Sequence, residues 1–235
     1  MNRHLKSAAT SLCASLIAAF GAVQLRADQT PQERIQAATE VFSEIMAAPD
    51  KGIPQDLLDK AHCIVIVPGL KKGAFIVGGK YGKGFLSCRA NSGLGWSAPG
   101  AVRVEGGSVG FQIGASATDV ILLVMNARGA DKLLSSQFTL GGEGEVAAGP
   151  VGRSATAQTD ALMRAEILSW SRSRGVFAGI SLQGATLRED LDTNQVLYGK
   201  KLENRDIVKQ DIAPPSAASS LLNILNKYSS AEAKS

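Results

Sequence analysis

Hydrophobic residues near the start of the folded region recur at the spacing of a helix. Thr30 and Glu33 enclose Pro31 in the pattern of a capping box, which predicts a helix beginning at that point. The apolar positions that follow keep the helical period: Ile35, Ala38, Val41, Phe42 and Ile45. A second, shorter helix is predicted between Ile53 and Ala61. The region therefore begins with two helices.

From Cys63 onwards the pattern changes to short, β-branched apolar runs separated by glycines. The predicted strands are residues 63–67, 74–77, 84–88, 101–104, 108–114 and 120–125, followed by a hairpin of 165–171 and 176–182. Their connections are short, which favours antiparallel pairing, because parallel neighbours need crossovers of about a dozen residues. Helical turns are expected at 130–136 and 191–198, and an amphipathic helix after Pro214 and Pro215.

This pattern predicts an α+β fold. Its centre would be a glycine-rich, mainly antiparallel β-sheet or partial barrel, flanked by the N-terminal and C-terminal helices. The 25 glycines are more than average usage predicts, and only 5% of the residues are aromatic. Such a composition is typical of tight turns and closely approaching strands.

Residues 1–27 have the composition of a signal peptide. Arg3 and Lys6 precede an apolar run from residue 8 to 23, and Ala27 suits the cleavage position. A membrane anchor is the alternative, but the run is shorter than the span of about 20 residues that a bilayer requires. We expect an exported protein, periplasmic or secreted, with one domain at 28–212 and a tail at 213–235.

Charge is distributed unevenly along the chain. The leader holds three basic residues and no acid, so its removal lowers the formal net charge from +4 to +1. Net charge therefore gives no support to nucleic-acid binding, which we do not expect. Residues 60–104 contain no Asp or Glu and seven Lys or Arg residues.

This acid-free window predicts a site for anionic lipid. Its candidate residues are Lys71, Lys72, Lys80, Lys83 and Arg89. The first two lysines are expected in the turn before strand 74–77, and the other two in the turn after it. The alternative is that these charges only form a solvated face.

Motifs for catalysis or cofactor binding are incomplete. His62, Cys63 and Cys88 are too few for a closed zinc site, so no metal is expected. Segment 106–110 has G-x-S-x-G spacing, but a strand pattern follows where a hydrolase needs a helix. Segment 79–84 lacks the first glycine and the Ser or Thr of a P-loop. We expect a protein without enzymatic activity or cofactor.

The two cysteines that remain after removal of the leader are Cys63 and Cys88. An exported chain folds in an oxidising compartment, where such a pair is usually bridged. We therefore predict a disulfide between them, the alternative being two independent buried thiols.

Several blocks resemble the SYLF domain family, from about residue 35 to residue 199. They are GAFIVGGKYGKG (73–84), GWSAP (95–99), GGSVGFQIG (106–114), TDV (118–120), AAGPVGR (147–153), SRSRGVFAG (171–179) and YG (198–199). The resemblance implies a lipid-binding domain that recognises phosphoinositides in eukaryotic members, some of which also bind and bundle actin. The implied partner is an anionic phospholipid or membrane surface, together with a possible protein partner. The alternative function is an envelope structural or protein-interaction protein, actin-binding-like by family, without specific lipid recognition.

Overall fold

A computed structural model describes residues 29–48, 52–75, 77–91, 94–109, 114–150, 165–173, 176–177 and 182–230. The predicted signal peptide lies outside these residues, as do parts of the predicted strands 108–114 and 176–182. The statements below concern the described residues.

Six α-helices are described, and the first one forms as its capping pattern predicts. They are α1 (Pro31–Met46), α2 (Gln55–Lys60), α3 (Ala127–Leu133), α4 (Leu191–Tyr198), α5 (Asn204–Lys209) and α6 (Ser219–Tyr228), the last preceded by a 3₁₀ turn, Ser216–Ala218. The Glu33 backbone N–H donates to Thr30 Oγ1 at 3.2 Å, and the Thr30 N–H donates to the Glu33 carboxylate at 2.8 Å. Gly199, with φ of +74°, ends α4. Helix α5 was not predicted from the sequence.

The described strands form one curled sheet. They are β1 (Cys63–Phe75), β2 (Val77–Cys88), β3 (Gly100–Val109), β4 (Gly114–Val124), β5 (Gln137–Thr139), β6 (Val146–Ala148), β7 (Ile167–Ser173), β8 (Val176–Phe177) and β9 (Thr186–Glu189). Their order is β5-β9-β3-β2-β1-β4-β7-β6, with β8 paired to β7. Only β6 and β7 pair in parallel among these neighbours. The predicted α+β fold with a mainly antiparallel sheet and flanking helices is confirmed.

The first two strands are longer than predicted, which corrects the position of the lysines. Lys71 and Lys72 lie inside β1, and Lys80 and Lys83 inside β2, rather than in turns. The glycines near them resemble turn signals, yet they lie within the strands, and close packing of the sheet requires the one at Gly84. A Cβ added at Gly84 would lie 2.1 Å from the Ile66 carbonyl oxygen.

That close approach follows from an irregularity in β1. The pairing of β1 with β2 shifts register between Ile66 and Lys71, and Gly69 has φ of +57°. The Gly69 N–H donates to Asp119 Oδ1 of β4 at 2.9 Å. The bulge brings the backbone of β1 close to β2 at Gly84, where only a residue without a side chain fits.

Two apolar layers cover the sheet. On one side, α1, α2 and α6 pack against residues such as Ile64, Phe85 and Trp170. On the other side, α3 and α5 pack with Val65, Leu86 and their neighbours. The layers alternate along each strand because successive side chains point to opposite faces.

The predicted disulfide is present in the structure. Cys63 and Cys88 lie directly opposite each other on β1 and β2, with their Cα atoms 3.9 Å apart. The intervening strand, turn and strand return Cys88 to the start of β1, as the sequence indicated.

Candidate functional site

The four predicted lysines come to neighbouring positions on β1 and β2 but point to two faces. Lys72 lies directly opposite Lys80, and Lys71 lies directly opposite Tyr81. Residues that face each other across two strands share a side of the sheet, and neighbours along a strand alternate. Lys71, Tyr81 and Lys83 therefore share one face, and Lys72 and Lys80 occupy the other.

The pair formed by Lys72 and Lys80 concentrates positive charge on its face. Lys80 is only 7% exposed. Its burial, and the nearby charge of Lys72, lower the pKa of Lys80 below the ordinary value for lysine. Two like charges placed opposite each other destabilise a sheet in the absence of compensation.

Lys83 is engaged by an acid of the same domain. Its ammonium lies 3.2 Å from Asp190 Oδ2, and Asp190 is 2% exposed. Burial works to raise the pKa of Asp190, but hydrogen bonds from Thr193 and Lys83 outweigh it, so the pKa is lowered. Asp190 also accepts a hydrogen bond from the Thr193 N–H at 3.2 Å and thereby caps α4. Lys83 thus links β2 to the start of a helix.

Arg89 lies inside the molecule and acts as an anchor. The guanidinium is stacked 3.9 Å from the centre of the Trp96 ring. It donates hydrogen bonds to the carbonyl oxygens of Leu58, Ala61 and Ser229 at 2.7, 3.1 and 3.1 Å. Burial lowers its pKa to about 10. Arg89 therefore holds the end of α2 and the residue after α6, and it does not belong to the candidate surface.

Ser229 makes further hydrogen bonds beside Arg89. Trp96 Nε1 donates to the Ser229 carbonyl at 2.7 Å, and Ser229 Oγ donates to Asp59 Oδ1 at 2.6 Å. Arg89, which the sequence analysis grouped with the surface lysines, thus belongs to a buried polar cluster that connects two helices to the sheet.

The structure adds two cations that the lipid-site prediction did not include. Lys83 lies opposite Arg103 of β3, and Arg103 lies opposite Arg188 of β9. Glu105 lies between the arginines, 3.0 Å from Arg103 Nε and 3.6 Å from Arg188 Nε. We call Lys83, Arg103 and Arg188 the cationic row. No signal in the sequence joins Arg188 to this row, because β9 itself was not predicted.

Neither a metal centre nor a membrane-spanning helix occurs among the described residues. No group of three His, Cys, Asp or Glu side chains there could hold a metal ion. Likewise, no described helix combines the length and apolar composition needed to cross a bilayer.

The fold and this surface define a class: an α+β domain whose curled sheet carries cations on neighbouring strands. Comparison with known proteins gives the family. The profile of the Ysc84 family, described as "Las17-binding protein actin regulator", matches residues 105–228. The chain belongs to this family, which confirms the resemblance to SYLF domains.

Curated relatives come from animals and fungi. An SH3 domain-containing YSC84-like protein 1 of Rattus norvegicus is 34% identical over 190 residues, 80% of this chain and 55% of the relative. An SH3 domain-containing protein of Schizosaccharomyces pombe is 38% identical over 74% of this chain and 41% of the relative. LAS seventeen-binding protein 3 of Saccharomyces cerevisiae is 33% identical over 86% and 44%. This chain thus spans about half the length of the relatives it matches.

Proposed function

We propose that this protein is an exported module that binds anionic phospholipids, of the phosphoinositide type, at a membrane surface. It would act by binding rather than by catalysis. One observation carries the proposal: Lys71, Lys72 and Lys80 lie at adjoining positions of two paired strands, inside a stretch of chain without acidic residues. A lysine near an anionic bilayer contributes about 1 kcal/mol of binding free energy.

Vesicle flotation tests the proposal. Wild-type protein should float with phosphatidylcholine vesicles only when they contain phosphatidylglycerol or a phosphatidylinositol phosphate, and less at high salt. Changing Lys71, Lys72 and Lys80 to Glu should weaken binding by about fivefold or more, the equivalent of one such contribution from the exposed Lys71 with a further loss of long-range attraction from Lys72 and Lys80. The matched control changes Lys200, Lys201 and Lys227 to Glu, since all three are exposed elsewhere on the molecule. Equal binding to neutral and anionic vesicles would contradict the proposal.

A second candidate function is protein interaction without specific lipid recognition. The family description and the name of the budding-yeast relative both refer to binding of Las17, a protein partner. By this analogy the chain would be an envelope protein that docks on another protein. Failure to float with any vesicle, together with a single specific cross-linked partner in the native host, would favour this candidate.

Export is part of the proposal. Export is supported by the basic residues Arg3 and Lys6, the apolar run from residue 8 to 23, and Ala27 at the cleavage position. Intact-mass measurement of protein from the native host should give a chain that begins near Asp28. A mass that includes residues 1–20 would overturn export without affecting lipid binding.

A further inference from the structure

In one row of directly opposite residues, three adjacent strands of the sheet each carry a glycine. Gly73 of β1 lies opposite Gly79 of β2, which lies opposite Gly107 of β3. All three glycines are exposed. We call these three residues the glycine platform. Since strands lie about 4.8 Å apart, the platform is a strip of bare backbone about 10 Å wide.

Packing within the described part of the molecule does not require these glycines. A Cβ at Gly73 or Gly107 would have no described atom within 4 Å, and at Gly79 only the Gly106 carbonyl oxygen, at 4.0 Å. None of the three has a positive φ. Gly84 is different, because a Cβ there would collide with the backbone of β1.

Exposed glycines in strands lower stability, because the unfolded chain gains freedom and no side chain packs on the sheet. Glycine in a strand often marks a place where a ligand or another backbone approaches closely. Three glycines in one exposed row therefore indicate an approach from outside the molecule.

The next row on the same face supplies an aromatic ring, a lysine and a carboxylate, because Glu105 of β3 lies directly opposite Tyr81. Lys71 and Tyr81 lie two residues from Gly73 and Gly79, directly opposite each other. Lys71 is exposed, and Tyr81 is 45% exposed, which makes it one of the few exposed large hydrophobic residues in the described part of the chain. A tyrosine with an apolar ring and a polar tip suits the boundary between lipid and water.

Beyond that row lies the cationic row, also on this face because Lys83 alternates with Tyr81 along β2. Its three cations are accompanied by the carboxylates of Glu105 and Asp190. Together with Lys71, this face keeps an excess of positive charge beside the platform. The surface is positively charged and carries an exposed ring.

We infer that the glycine platform, with Tyr81 and Lys71 at its border, is the face that docks on an anionic bilayer. Phosphate-bearing head groups contact Lys71 and the cationic row, Tyr81 enters the interface, and the bare backbone permits close approach. The inference rests on the proposed lipid binding and assigns it to one face. Lys72 and Lys80, on the other face, then act only through long-range attraction.

The decisive variant replaces Gly79 and Gly107 with Thr. Threonine suits exposed strand positions, so thermal stability should stay the same or rise. Binding to phosphatidylglycerol vesicles should fall about tenfold or more, because side chains lift the bilayer from the sheet. The matched control is Ser116→Thr, at an exposed position on β4 opposite Lys72. Its binding should equal that of wild type.

A fluorescent variant gives a second measurement that needs no loss of binding. Tyr81→Trp should shift its emission to shorter wavelength when anionic vesicles are added, because the indole enters a less polar region. Trp96 and Trp170 are buried and give a constant background. Absence of the shift in a protein that binds vesicles would overturn the inference.

The outcomes separate this inference from the proposed function. If wild type floats and the platform variant floats equally well, the face assignment is wrong and lipid binding stands. The face assignment is also wrong if Lys72→Glu with Lys80→Glu abolishes binding while Lys71→Glu leaves it intact. If wild type binds no vesicle, both fail. If inorganic phosphate competes fully with phosphatidylglycerol vesicles and Tyr81→Trp shows no emission shift on adding vesicles, the site takes a free phosphate and the bilayer assignment is overturned.

Discussion

The two ends of the same central strands differ sharply in side-chain size. At the covered end, residues 63–67 of β1 and their partners carry Ile64, Val65, Phe85 and Leu86, each at most 2% exposed. At the open end, the strands carry the glycine platform and the lysines. Backbone pairing is continuous across both ends apart from the bulge of β1.

The contrast shows that hydrogen-bonded pairing alone does not dictate which residues a strand needs. The covered end is held by helices on both faces, so apolar area is removed from water there at about 25 cal/mol per Å². The open end gains little from burial on its exposed face. Stability therefore does not explain its residues, and this is the ground for the proposed docking face.

The largest loss should come from removing the anchor at the covered end. Arg89→Met removes the charged donor from the buried carbonyls of Leu58, Ala61 and Ser229. The Ser229 carbonyl keeps the hydrogen bond from Trp96 Nε1 and the Leu58 carbonyl keeps that from the Ala61 N–H, so the unsatisfied acceptor is the Ala61 carbonyl. A lost hydrogen bond to a charged group costs about 1.5–3 kcal/mol and an unsatisfied buried acceptor about 1–3 kcal/mol, so we expect a total loss of about 3–5 kcal/mol. Urea unfolding measures it. Lys71→Met at the open end should change stability by less than about 0.5 kcal/mol, and equal losses would refute the contrast.

Removing the disulfide should produce the next largest effect. Cys63→Ala with Cys88→Ala opens a loop closed across a sequence separation of 25, and the chain-entropy relation gives a loss of about 3 kcal/mol. Chemical unfolding with and without reductant checks this value. Wild type should lose stability on reduction while the double variant is insensitive. Two titratable thiols in the non-reduced, unfolded wild type would show that the bridge is absent from the native protein.

Replacing Gly84 or Gly79 of β2 with alanine compares a glycine packed closely against β1 with a glycine of the platform. Gly84→Ala should cost about 1–3 kcal/mol, because its methyl group would collide with the Ile66 carbonyl and force the backbone apart. Gly79→Ala should be neutral or stabilise by up to about 1 kcal/mol, since the site is open and the unfolded chain loses freedom. Thermal unfolding of both variants decides. A similar loss in both would mean that the platform glycines are structural.

The smallest effect concerns the ion pair between Lys83 and Asp190. Asp190→Asn keeps a side-chain oxygen for the Thr193 N–H but removes the charge, and should cost about 1 kcal/mol at neutral pH. The pKa of Asp190 is lower in the folded than in the unfolded chain. Its contribution is therefore complete above the unfolded pKa and is lost as pH falls through the folded one. The stability difference between wild type and variant should vanish in acid, and a constant difference would exclude the ion pair as its cause.

Short-range sequence signals predicted the structural elements that depend on interactions between residues close in the chain. The capping box of Thr30 and Glu33 set the start of α1, and Gly199 ended α4, because both act within one turn of helix. Short β-branched apolar runs separated by glycines predicted the sheet, and the two cysteines predicted their bridge. The acid-free window also pointed to the part of the sheet that bears the candidate surface.

Tertiary structure alone decided which charges stand together. Register placed Lys72 with Lys80, turned Lys71 and Lys83 to the other face, and brought Arg188 beside Arg103 from a distant strand. Packing took Arg89 into the interior, where carbonyls from the end of α2 and from the residue after α6 meet. A shift of one residue in a strand exchanges its two faces, and pairing between distant strands is set by the whole sheet. The sequence therefore predicted where positive charge is concentrated, while the face it occupies follows from long-range pairing.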